Sequence, residues 1–590
     1  MDTLDHIRHS LAHLLAMAVL NQYPDAKLGI GPTIEYGFYY DFLIEADKSG
    51  EQRGLTPQDL NKIEQEMKKL IEQSLPFAGE KVTAEQAKKL FKDQPFKLEL
   101  IEEFAKEGKE LTVYHTGLPK TQPSTLNPKP FFTDLCKGGH VENTREINPD
   151  SFKLTHVAGA YWRGDEKNPQ LQRIYGLAFE TREELAAHLT MLEEAKKRDH
   201  KKLGRDLDLF VFSDLVGPGL PLWTPNGTIL RNILDETVWQ LRKERGYEKV
   251  EIPHITKKEL YETSGHWEKF KNELLKITSR EGHEFAMKPM NCPHHTQIYN
   301  RKLWSYREMP QRYASTTMCY RDEQTGELSG LSRLRAFTQD DSHIFCRPAQ
   351  IKEEIGRAWE IVDAFYQKVG LSLHVRLSLH DPAHPEHYLG TPALWKETES
   401  ELRKLAKEHK VTGQEAVGEA AFYGPKIDFI GKDSLGREWQ LATIQLDMNL
   451  PERFDLNCVD ETGVKERIVM LHIAIMGSIE RFLSIIIEHF AGAFPFWLAP
   501  VQIQVLPIGE EQNEYASNIA KQLEDHDIRV EINEANETIG KKIREGELQK
   551  IPYLLIVGKK EVEGQTIAVR ERGKGDKGAM TIEEFFKKLT

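Results

Sequence analysis

Residues 320–343 constrain the fold more than any other stretch of the chain. They read YRDEQTGELSGLSRLRAFTQDDSH, two alternating apolar–polar segments around a loop that Gly326 and Gly330 interrupt. This pattern predicts an antiparallel pair of strands. Side chains an even number of residues apart lie on one face of a strand, so the hairpin should direct one set of side chains into a common pocket.

The side chains expected on that face are unusual for a solvated hairpin. By spacing, Arg321 and Glu323 share one face of the first strand. The second strand places three more side chains on one face: Arg333, Phe337 and Asp341. Guanidinium groups bind phosphate bidentately, and an aromatic ring suits a purine. Surface ion pairs are the alternative for any single arginine, but the whole set in this order favours a nucleotide pocket.

Length, charge and cysteine content bound the class of protein. A chain of 590 residues predicts several domains. Its net charge of −13 excludes a generally basic nucleic-acid binder, so any RNA contact must come from local basic patches. Five scattered cysteines indicate a reducing compartment, and the apolar run at 482–497 is too short to span a bilayer. We therefore expect a cytoplasmic enzyme with no membrane association.

Residues 1–180 predict an α+β domain that holds a cluster of possible ligands. An amphipathic helix opens the chain, and His9 and His13 lie one turn apart on it. Cys136 and His140 flank a Gly-Gly pair that predicts a turn. The four side chains suit a metal site or a hydrolytic pocket. The alternative is two polar helix residues and an unrelated thiol.

Three further segments complete the predicted organisation. Residues 181–205 predict one long helix with basic residues toward its end, which we interpret as an inter-domain linker. Residues 206–500 alternate strands and helices and contain the hairpin. Residues 501–590 alternate short apolar strands with helices and predict a small α/β domain.

The hairpin resembles motif 2 of class II aminoacyl-tRNA synthetases, whose catalytic core is an antiparallel sheet. The order Arg-x-Glu, loop, Arg-x-x-x-Phe carries the resemblance. It implies that Arg321 binds the α-phosphate of ATP and that Glu323 contacts the adenine edge. It also implies that Arg333 binds the γ-phosphate and that Phe337 stacks on adenine. A Gly-Ser-Ile-Glu-Arg segment resembles motif 3 and implies that Arg481 reaches the γ-phosphate, with magnesium accompanying ATP.

Other segments are similar to the threonyl-tRNA synthetases within that class. H-x-x-x-H followed by a distant C-x-x-x-H is the signature of that family's editing domain, which hydrolyses serine wrongly attached to tRNA. The implied editing residues are His9, His13, Asp134, Cys136 and His140. The family usually has a small ubiquitin-like domain ahead of this one. Because the histidine motif begins at residue 9, we expect that domain to be missing.

The same resemblance implies one zinc ion per subunit in the catalytic domain. Its ligands would be Cys292, His343 and His472, from the segments MNCPHH, DDSH and MLHIAIMG. Three protein ligands leave zinc an open position, where in this family it takes the amino and hydroxyl groups of threonine together. Valine lacks the hydroxyl, which a hydrophobic pocket alone would discriminate by only about 10²-fold. The chain has His294 where other members have Gly.

The remaining implied site residues lie in two domains. The catalytic domain contributes Gln440 to ATP binding, and the residues expected to bind the amino acid are Asp341, Tyr423, Lys426 and Gln445. In the C-terminal domain, the residues expected to contact anticodon bases are Glu561 and Arg570.

The resemblance covers nearly the whole chain and implies an α+β multidomain fold. The editing domain would span 1–180, the linker helix 181–205, the class II catalytic domain 206–500 and the α/β anticodon-binding domain 501–590. The implied enzyme activates threonine with ATP, transfers it to the 3′ end of tRNA(Thr), and hydrolyses seryl-tRNA(Thr). A helix and strand resembling motif 1 imply a homodimer. The alternatives are an inactive RNA-binding relative, a stand-alone zinc hydrolase, and a seryl- or prolyl-type synthetase.

Overall fold

The structure is a computed structural model that describes residues 3–44, 54–117, 131–408 and 414–589. It divides into two compact units, residues 1–193 and 194–590. The division falls inside a helix, so the chain passes from one unit to the next without a loop.

The first unit is an α+β fold with two antiparallel sheets among its described residues. Its helices are α1 (Thr3–Gln22), α2 (Pro57–Glu72), α3 (Ala84–Leu90), α4 (Pro95–Lys106) and α5 (Arg182–Arg198). Its strands are β1 (Lys27–Leu28), β2 (Thr33–Ile34), β3 (Gly37–Leu43), β4 (Phe77–Val82), β5 (Leu111–Thr116), β6 (Phe132–Leu135), β7 (Phe152–Tyr161) and β8 (Gln170–Ala178). One sheet has the order β1-β3-β8-β7 with β2 beside β3, and the other has the order β4-β5-β6.

Helix α1 lies in the interior of this unit. The prediction of an amphipathic helix is wrong in one respect, because residues 11–19 are buried on every side. Alanine and leucine supply most of these positions, and α1 shares one apolar core with α2 and β3. A helix that is apolar all round belongs in a core, so its histidine at position 13 is a buried polar group.

The predicted long linker helix is also wrong, because it is two helices. Helix α5 ends at Arg198, and α6 (His200–Asp206) begins after Asp199, which has non-helical dihedral angles. The Asp199 side chain accepts the backbone N–H of Lys201 at 2.8 Å and so caps α6. Aspartate favours this arrangement over a helix interior because its short carboxylate competes for nearby backbone groups.

The second unit contains the predicted catalytic segment. Its helices after α6 are α7 (Pro225–Lys243), α8 (Lys258–Ser264), α9 (His266–Lys269), α10 (Cys292–Tyr299), α11 (Ile351–Val369), α12 (Pro392–Glu408), α13 (Asn449–Arg453) and α14 (Ile479–His489). Its strands are β9 (Phe210–Val211), β10 (Leu222–Trp223), β11 (Glu248–Lys249), β12 (Ile255–Lys257), β13 (Lys276–Thr278), β14 (Glu284–Met287), β15 (Trp304–Ser305), β16 (Gln311–Tyr320), β17 (Ala336–Cys346), β18 (Leu373–Leu379), β19 (Gln414–Val417), β20 (Lys426–Lys432), β21 (Glu438–Asp447), β22 (Asn457–Val459), β23 (Lys465–Arg467) and β24 (Val469–Ser478).

The main sheet of this unit has the order β11-β16-β17-β24-β21-β20-β18-β19. The six inner strands are antiparallel, and only the two edge strands pair in parallel. Helices α7, α11 and α14 bury their apolar sides in one core with this sheet. Alternate residues of β17 point to that core, as Ile344 does, while Phe337 and His343 face a cavity on the other side. The antiparallel catalytic sheet expected from the sequence is confirmed.

The predicted hairpin has shorter strands than expected. Strands β16 and β17 pair antiparallel, with Tyr320 opposite Ala336. The first strand therefore ends before Arg321 and Glu323, which were predicted to share its face. Both lie instead in the loop of residues 321–335. Arg333, which was predicted on the second strand, also lies in this loop, because β17 begins only at Ala336. The loop is held by its own hydrogen bonds, including Arg321 N–H to the carbonyl of Arg335 at 2.9 Å.

The C-terminal part of the second unit is a five-stranded α/β sheet, as predicted. Its strands are β25 (Ile503–Pro507), β26 (Val530–Ile532), β27 (Tyr553–Val557), β28 (Ile567–Glu571) and β29 (Gly575–Met580), in the order β26-β25-β27-β28-β29. Its helices are α15 (Asn513–Glu524), α16 (Ile539–Leu548), α17 (Lys559–Gly564) and α18 (Ile582–Leu589). Strand β25 pairs in parallel with β26 and β27, whereas the pairs β27–β28 and β28–β29 are antiparallel.

Candidate active site and N-terminal pocket

A cavity of about 770 Å³ lies over the main sheet. Strands β17, β20, β21 and β24 form its floor, and the 321–335 loop and the start of α14 form its rim. All but one of the catalytic-domain residues predicted from the sequence line this cavity. The lining residues are Arg321, Glu323, Arg333, Phe337, Asp341, His343, Tyr423, Lys426, Gln440, Gln445, His472 and Arg481. The exception is Cys292, which is buried directly beside it.

Two of the arginines face the cavity without a carboxylate partner. Within the described ranges, neither Arg321 nor Arg481 makes an ion pair, and the buried Nε of Arg321 has no hydrogen-bond partner. Each guanidinium lies near an aromatic ring, Arg321 at 5.3 Å from the centroid of Phe337 and Arg481 at 5.8 Å from that of Trp439. Burial lowers the pKa of Arg481. Unneutralised guanidiniums in a cavity suit an anionic ligand.

The third arginine is paired within the loop. The Nε of Arg333 donates to Glu323 Oε2 at 2.8 Å, and its Nη2 lies 3.1 Å from Glu327. Glu323 is almost fully buried, whereas Arg333 is about half exposed. A ligand phosphate could therefore take up the exposed side of Arg333 while Glu323 continues to orient it.

Three possible metal ligands meet beside the floor of the cavity. Offered ligand atoms of Cys292, His343 and His472 lie within 4.8 Å of one another, and all three residues are buried. Nε2 of His343 and Nδ1 of His472 are 3.1 Å apart. That separation fits two nitrogens bound to one tetrahedral zinc at about 2.0–2.1 Å each. Burial raises the pKa of the Cys292 thiol well above its usual value, so a thiolate there requires a neighbouring cation.

The far nitrogens of both histidines are held by other buried side chains. Nε2 of His472 lies 2.9 Å from Asp447 Oδ2, and Nδ1 of His343 lies 2.8 Å from Nδ1 of His295. The His295 ring is itself 3.1 Å from Ser315 Oγ. A carboxylate or imidazole behind a histidine fixes its tautomer and orientation and is the usual outer partner in zinc sites. The donor set and its support therefore fit zinc.

The His294 ring is not part of this ligand group. It is buried beside α8, with its ring centroid 6.2 Å from that of Tyr261. Neither of its ring nitrogens has a hydrogen-bond partner among the described residues. The histidine next in sequence, His295, is the one behind His343.

The predicted amino-acid-binding residues surround the possible zinc site. Asp341 lies with Oδ1 3.7 Å from His343 Nε2 and accepts a hydrogen bond from Asn291 at 3.2 Å. Burial raises the pKa of Asp341 to about 6. Tyr423 donates its hydroxyl hydrogen to Gln445 Oε1 at 3.1 Å. A small polar ligand in this corner would meet carboxylate, hydroxyl and amide groups together.

One buried carboxylate positions two of the predicted ligand-binding residues. Asp428 Oδ1 accepts hydrogen bonds from Gln440 at 2.7 Å and Thr443 at 2.8 Å. Its Oδ2 accepts a bond from Ser378 at 2.6 Å and lies 3.1 Å from the ammonium of Lys426. Asp428 is fully buried, so Gln440 and Lys426 are oriented from below by a group that no ligand touches.

A second cavity, of about 510 Å³, lies in the first unit. The predicted cluster lines or borders it, with His9 and His13 from α1 and Cys136 and His140 on either side of the glycine turn. Gly138 and Gly139 have φ of 94° and 87°, which requires glycine. Cys136 Sγ lies 3.4 Å from His9 Nε2 and 3.2 Å from His140 Nε2.

The carboxylate predicted for this pocket is buried under the histidines. Asp134 forms an ion pair with Lys97 at 2.5 Å and accepts the Tyr40 hydroxyl at 2.6 Å. His13 Nε2 lies 3.8 Å from the same carboxylate. Lys97 thus balances the charge of Asp134, Tyr40 donates a hydrogen bond to it, and His13 lies too far away for a close bond.

Burial also sets the protonation of this pocket. It lowers the pKa of His9, His13 and His140, and it raises the pKa of the Cys136 thiol to about 12. The three imidazoles are therefore neutral near pH 7, with lone pairs that can accept a hydrogen bond from water or bind a metal ion. The arrangement can orient a water molecule, which ester hydrolysis requires.

The two residues predicted to read the anticodon have different hydrogen-bond partners among the described residues. Glu561, in the first turn of α17, accepts the backbone N–H of Gly558 at 2.9 Å. Arg570, on β28, bonds to Glu547 at 3.0 Å. No hydrogen bond or ion pair joins them in the described part of the chain.

Sequence reasoning missed several residues of both sites. Tyr40 and Lys97 at the N-terminal pocket come from a strand and a helix without any motif, and burial of a lysine has no sequence signal. Asp428 interrupts the apolar pattern of β20, and that interruption is the signal that could have found it. Gln339 and Asp447 lie near other polar residues of β17 and β21, so the strand pattern does not single them out.

Comparisons with known proteins define the class first. A family model described as "tRNA synthetase class II core domain (G, H, P, S and T)" matches residues 270–490, which hold the large cavity and all strands of the main sheet except β11. "Anticodon binding domain" matches residues 502–590, and "Threonyl and Alanyl tRNA synthetase second additional domain" matches 111–175. The fold is that of a class II aminoacyl-tRNA synthetase.

Curated relatives identify the family within that class. Threonine–tRNA ligase of Gloeobacter violaceus is 48% identical over 99% of this chain and 91% of its own length. That of Thermosynechococcus vestitus is 45% identical over all of this chain and 95% of its own length. The chain belongs to the threonine–tRNA ligase family. This excludes the alternatives of a seryl- or prolyl-type synthetase and of a stand-alone zinc hydrolase.

Solved structures agree with this assignment. The structure described as the RNA binding domain of threonyl-tRNA synthetase from Cryptosporidium parvum is 36% identical and has a TM-score of 0.63. The match covers 66% of this chain and 97% of that chain. Prolyl-tRNA synthetase of the same organism shares the fold alone, with 17% identity and a TM-score of 0.53 over 66% of this chain and 75% of that chain.

Proposed function

We propose that the protein activates threonine with ATP, transfers it to the 3′ end of tRNA(Thr), and hydrolyses seryl-tRNA(Thr) in its first unit. The observation that carries the proposal is one cavity lined both by unpaired guanidiniums and by two histidines of the Cys-His-His cluster. Adenylate formation needs a polyphosphate and an amino acid side by side. The family membership and the match to the second additional domain support both activities.

The arginine-lined end is the proposed ATP site. Arg321 would bind the α-phosphate, and Arg333 and Arg481 the γ-phosphate with magnesium. Phe337 would stack on adenine, with Glu323 at its edge and Gln440 held toward the nucleotide. The attack of the threonine carboxylate on the α-phosphate needs positioning and charge stabilisation, not a side-chain nucleophile.

The other end is the proposed threonine site. Cys292, His343 and His472 would hold zinc, which when bound supplies an open position for the amino and hydroxyl groups of the substrate. Asp341, Tyr423, Lys426 and Gln445 would hold the rest of the amino acid. The buried position of Asp341 beside His343 suits acceptance of a hydrogen bond from the substrate amino group.

We propose that the remaining contacts are with tRNA. His9, His13, Asp134, Cys136 and His140 would form the editing pocket, which needs an oriented water and a neutral base. Glu561 and Arg570 would meet anticodon bases. The corresponding domains would be 1–180 for editing, 181–205 for the linker, 206–500 for catalysis and 501–590 for the anticodon, with the linker now in two helices.

The assignment of the arginines can be tested by ATP–pyrophosphate exchange. Wild-type protein is expected to exchange strongly with threonine, more weakly with serine and not with valine. Arg321→Lys is expected to lower threonine-dependent exchange by about 10²-fold, because lysine cannot bind phosphate bidentately. Arg335→Lys is the matched control, since Arg335 lies in the same loop but bonds Glu323 and Thr325 and does not line the cavity. Equal loss in both variants would contradict a role for Arg321 at the phosphate.

We also propose a homodimer through the segment around β9 and β10. Five apolar side chains are exposed there, a concentration typical of a protein interface: Val211, Phe212, Leu215, Val216 and Leu222. Val211 and Leu222 are directly opposite each other in the strand pair, so the exposed apolar area is continuous at that point.

Sedimentation velocity tests this interface. Wild-type protein is expected to be dimeric at micromolar concentration, and Phe212→Glu with Leu215→Glu to weaken dimerisation by at least about 10²-fold, because two charges would be desolvated. Leu303→Glu changes an equally exposed apolar residue elsewhere and should leave the dimer intact. A monomeric wild type, or a double variant that stays dimeric, would refute the proposal.

We propose a cytoplasmic location, which the state of the cysteines supports. All five cysteines are free, as expected in a reducing compartment. None of the helices among the described residues has the length and apolar character needed to cross a membrane.

A further inference from the structure

A buried histidine outside the proposed substrate contacts binds the 321–335 loop. His200 is the first residue of α6, directly after the break that ends α5, and its side chain is only 5% exposed. Its Nδ1 lies 2.6 Å from Glu488 Oε1, and its Nε2 accepts the backbone N–H of Leu331 at 3.0 Å. These two bonds require hydrogen on Nδ1 and a free lone pair on Nε2.

The loop fits closely against this ring. Gly330 has φ of 49°, and a Cβ at that position would lie 2.2 Å from His200 Nε2. Leu331, the next residue, is buried. The glycine is therefore required by its backbone conformation and by the approach of the imidazole. The residue after them, Ser332, contacts Ser484 Oγ of α14 at 3.0 Å.

The other side of the ring is held by a carboxylate whose two oxygens both accept hydrogen bonds. Glu488 Oε1 also accepts the backbone N–H of His200 at 3.2 Å, and its Oε2 accepts a bond from Arg437 at 2.5 Å. Arg437 in turn pairs with Asp433. Because every partner is occupied, the His200 ring cannot rotate away from the loop without breaking several bonds.

The same group could be taken for a metal site, since Asp199, His200 and Glu488 offer ligand atoms within 4.8 Å of one another. The hydrogen bonds argue against that interpretation. Nε2 of His200 is used by Leu331 N–H, and Nδ1 donates to Glu488. The carboxylate of Asp199 caps α6 through Lys201 N–H. Both ring nitrogens of His200 and both oxygens of Glu488 are therefore already used in hydrogen bonds.

We propose that His200 is a positioning residue for ATP binding, which acts by holding the backbone of the 321–335 loop from outside the cavity. The anchored amide of Leu331 is two residues before Arg333, whose side chain is bonded to Glu323. Fixing that amide fixes where both side chains stand relative to the cavity. The inference rests on the proposed role of this loop in binding ATP.

Two substitutions separate the two bonds of the ring. His200→Gln places an amide oxygen near the position of Nε2 and so retains an acceptor for Leu331 N–H. His200→Asn is shorter, retains a donor near the position of Nδ1 for Glu488, and leaves the Leu331 amide without an acceptor. A buried backbone N–H without a partner is costly, so only the asparagine variant should release the loop.

The first measurement is pyrophosphate exchange. We expect His200→Asn to raise the KM for ATP about tenfold, with less than about a twofold change in the KM for threonine, and His200→Gln to stay within about threefold of wild type. The second is hydrogen–deuterium exchange of the peptide that contains Leu331, which should become about tenfold faster in the asparagine variant and not in the glutamine variant.

Each outcome decides the question. An unchanged KM for ATP in His200→Asn overturns the proposal, whatever the amide exchange. Equal damage in both variants, or a fall in kcat with no change in the KM for ATP, also overturns it, because either result indicates a general structural role. If Arg333→Ala leaves the KM for ATP unchanged, the ATP role of the loop fails, while amide exchange in His200→Asn still reports whether His200 anchors it.

Discussion

Cys292→Ser is expected to remove bound zinc and to lower threonine-dependent ATP–pyrophosphate exchange by about 10³-fold. The cysteine, His343 and His472 converge from three distant segments, and His472 is oriented by Asp447. Losing the thiolate leaves two nitrogen ligands, too few to hold zinc tightly. A metal that holds the reacting substrate contributes several kcal/mol, which corresponds to a rate factor of about 10³.

Cys458→Ser is the matched control for this experiment. Cys458 is fully buried in the same apolar cluster as Cys292, but it belongs to β22 and not to the ligand group. It should retain about one zinc per chain and near wild-type exchange. Metal content is measured by elemental analysis on the same samples. Full zinc occupancy in Cys292→Ser, or full activity in zinc-free wild type, would be incompatible with the proposed site.

Substituting both His9 and His13 with alanine is expected to slow hydrolysis of preformed seryl-tRNA(Thr) by about 10²–10⁴-fold, the range for loss of general base catalysis. The two imidazoles lie beside Cys136 and His140 in the N-terminal cavity, and burial lowers the pKa of both, so both are neutral near pH 7 and can accept a hydrogen bond from water. Formation of threonyl-tRNA should be unchanged, because no residue of the large cavity is altered.

Two further variants serve as controls for this prediction. His156→Ala makes the same change at an exposed histidine of β7 in the same unit and should hydrolyse seryl-tRNA normally. His9→Ala alone avoids the cavity that loss of the fully buried His13 would create in α1. Normal hydrolysis by His9→Ala and by the double variant would rule out these histidines as the base.

Strand periodicity correctly predicted the site residues that lie together on a single strand. Phe337 and Asp341 are four residues apart on β17, and strand periodicity alone places both toward one pocket. Arg321 and Glu323 were also assigned to the right pocket but to the wrong element. Periodicity cannot see where a strand ends when the loop continues the same alternation, so the two residues were taken as part of β16.

No rule of local residue spacing could have identified the group of three possible zinc ligands. Cys292, His343 and His472 are separated by 51 and 129 residues along the chain, and their meeting depends on the pairing of β17 with β24, where His343 lies opposite His472. Only the resemblance to known motifs brought them together in advance. His200 had no such motif, and its role depends on a break in a helix that the sequence pattern predicted as continuous.

The contact between His200 and Gly330 limits where two related chains can be joined to make a chimaera. The two residues lie on opposite sides of the boundary near residue 206, where the sequence pattern separates linker from catalytic domain, yet the imidazole leaves no room for a side chain at position 330. A chimaera joined at that boundary would inherit the histidine from one parent and the glycine from the other. The segment that must come from one parent is therefore longer than the domain, and crossovers that keep His200 with the 321–335 loop should fall before residue 199.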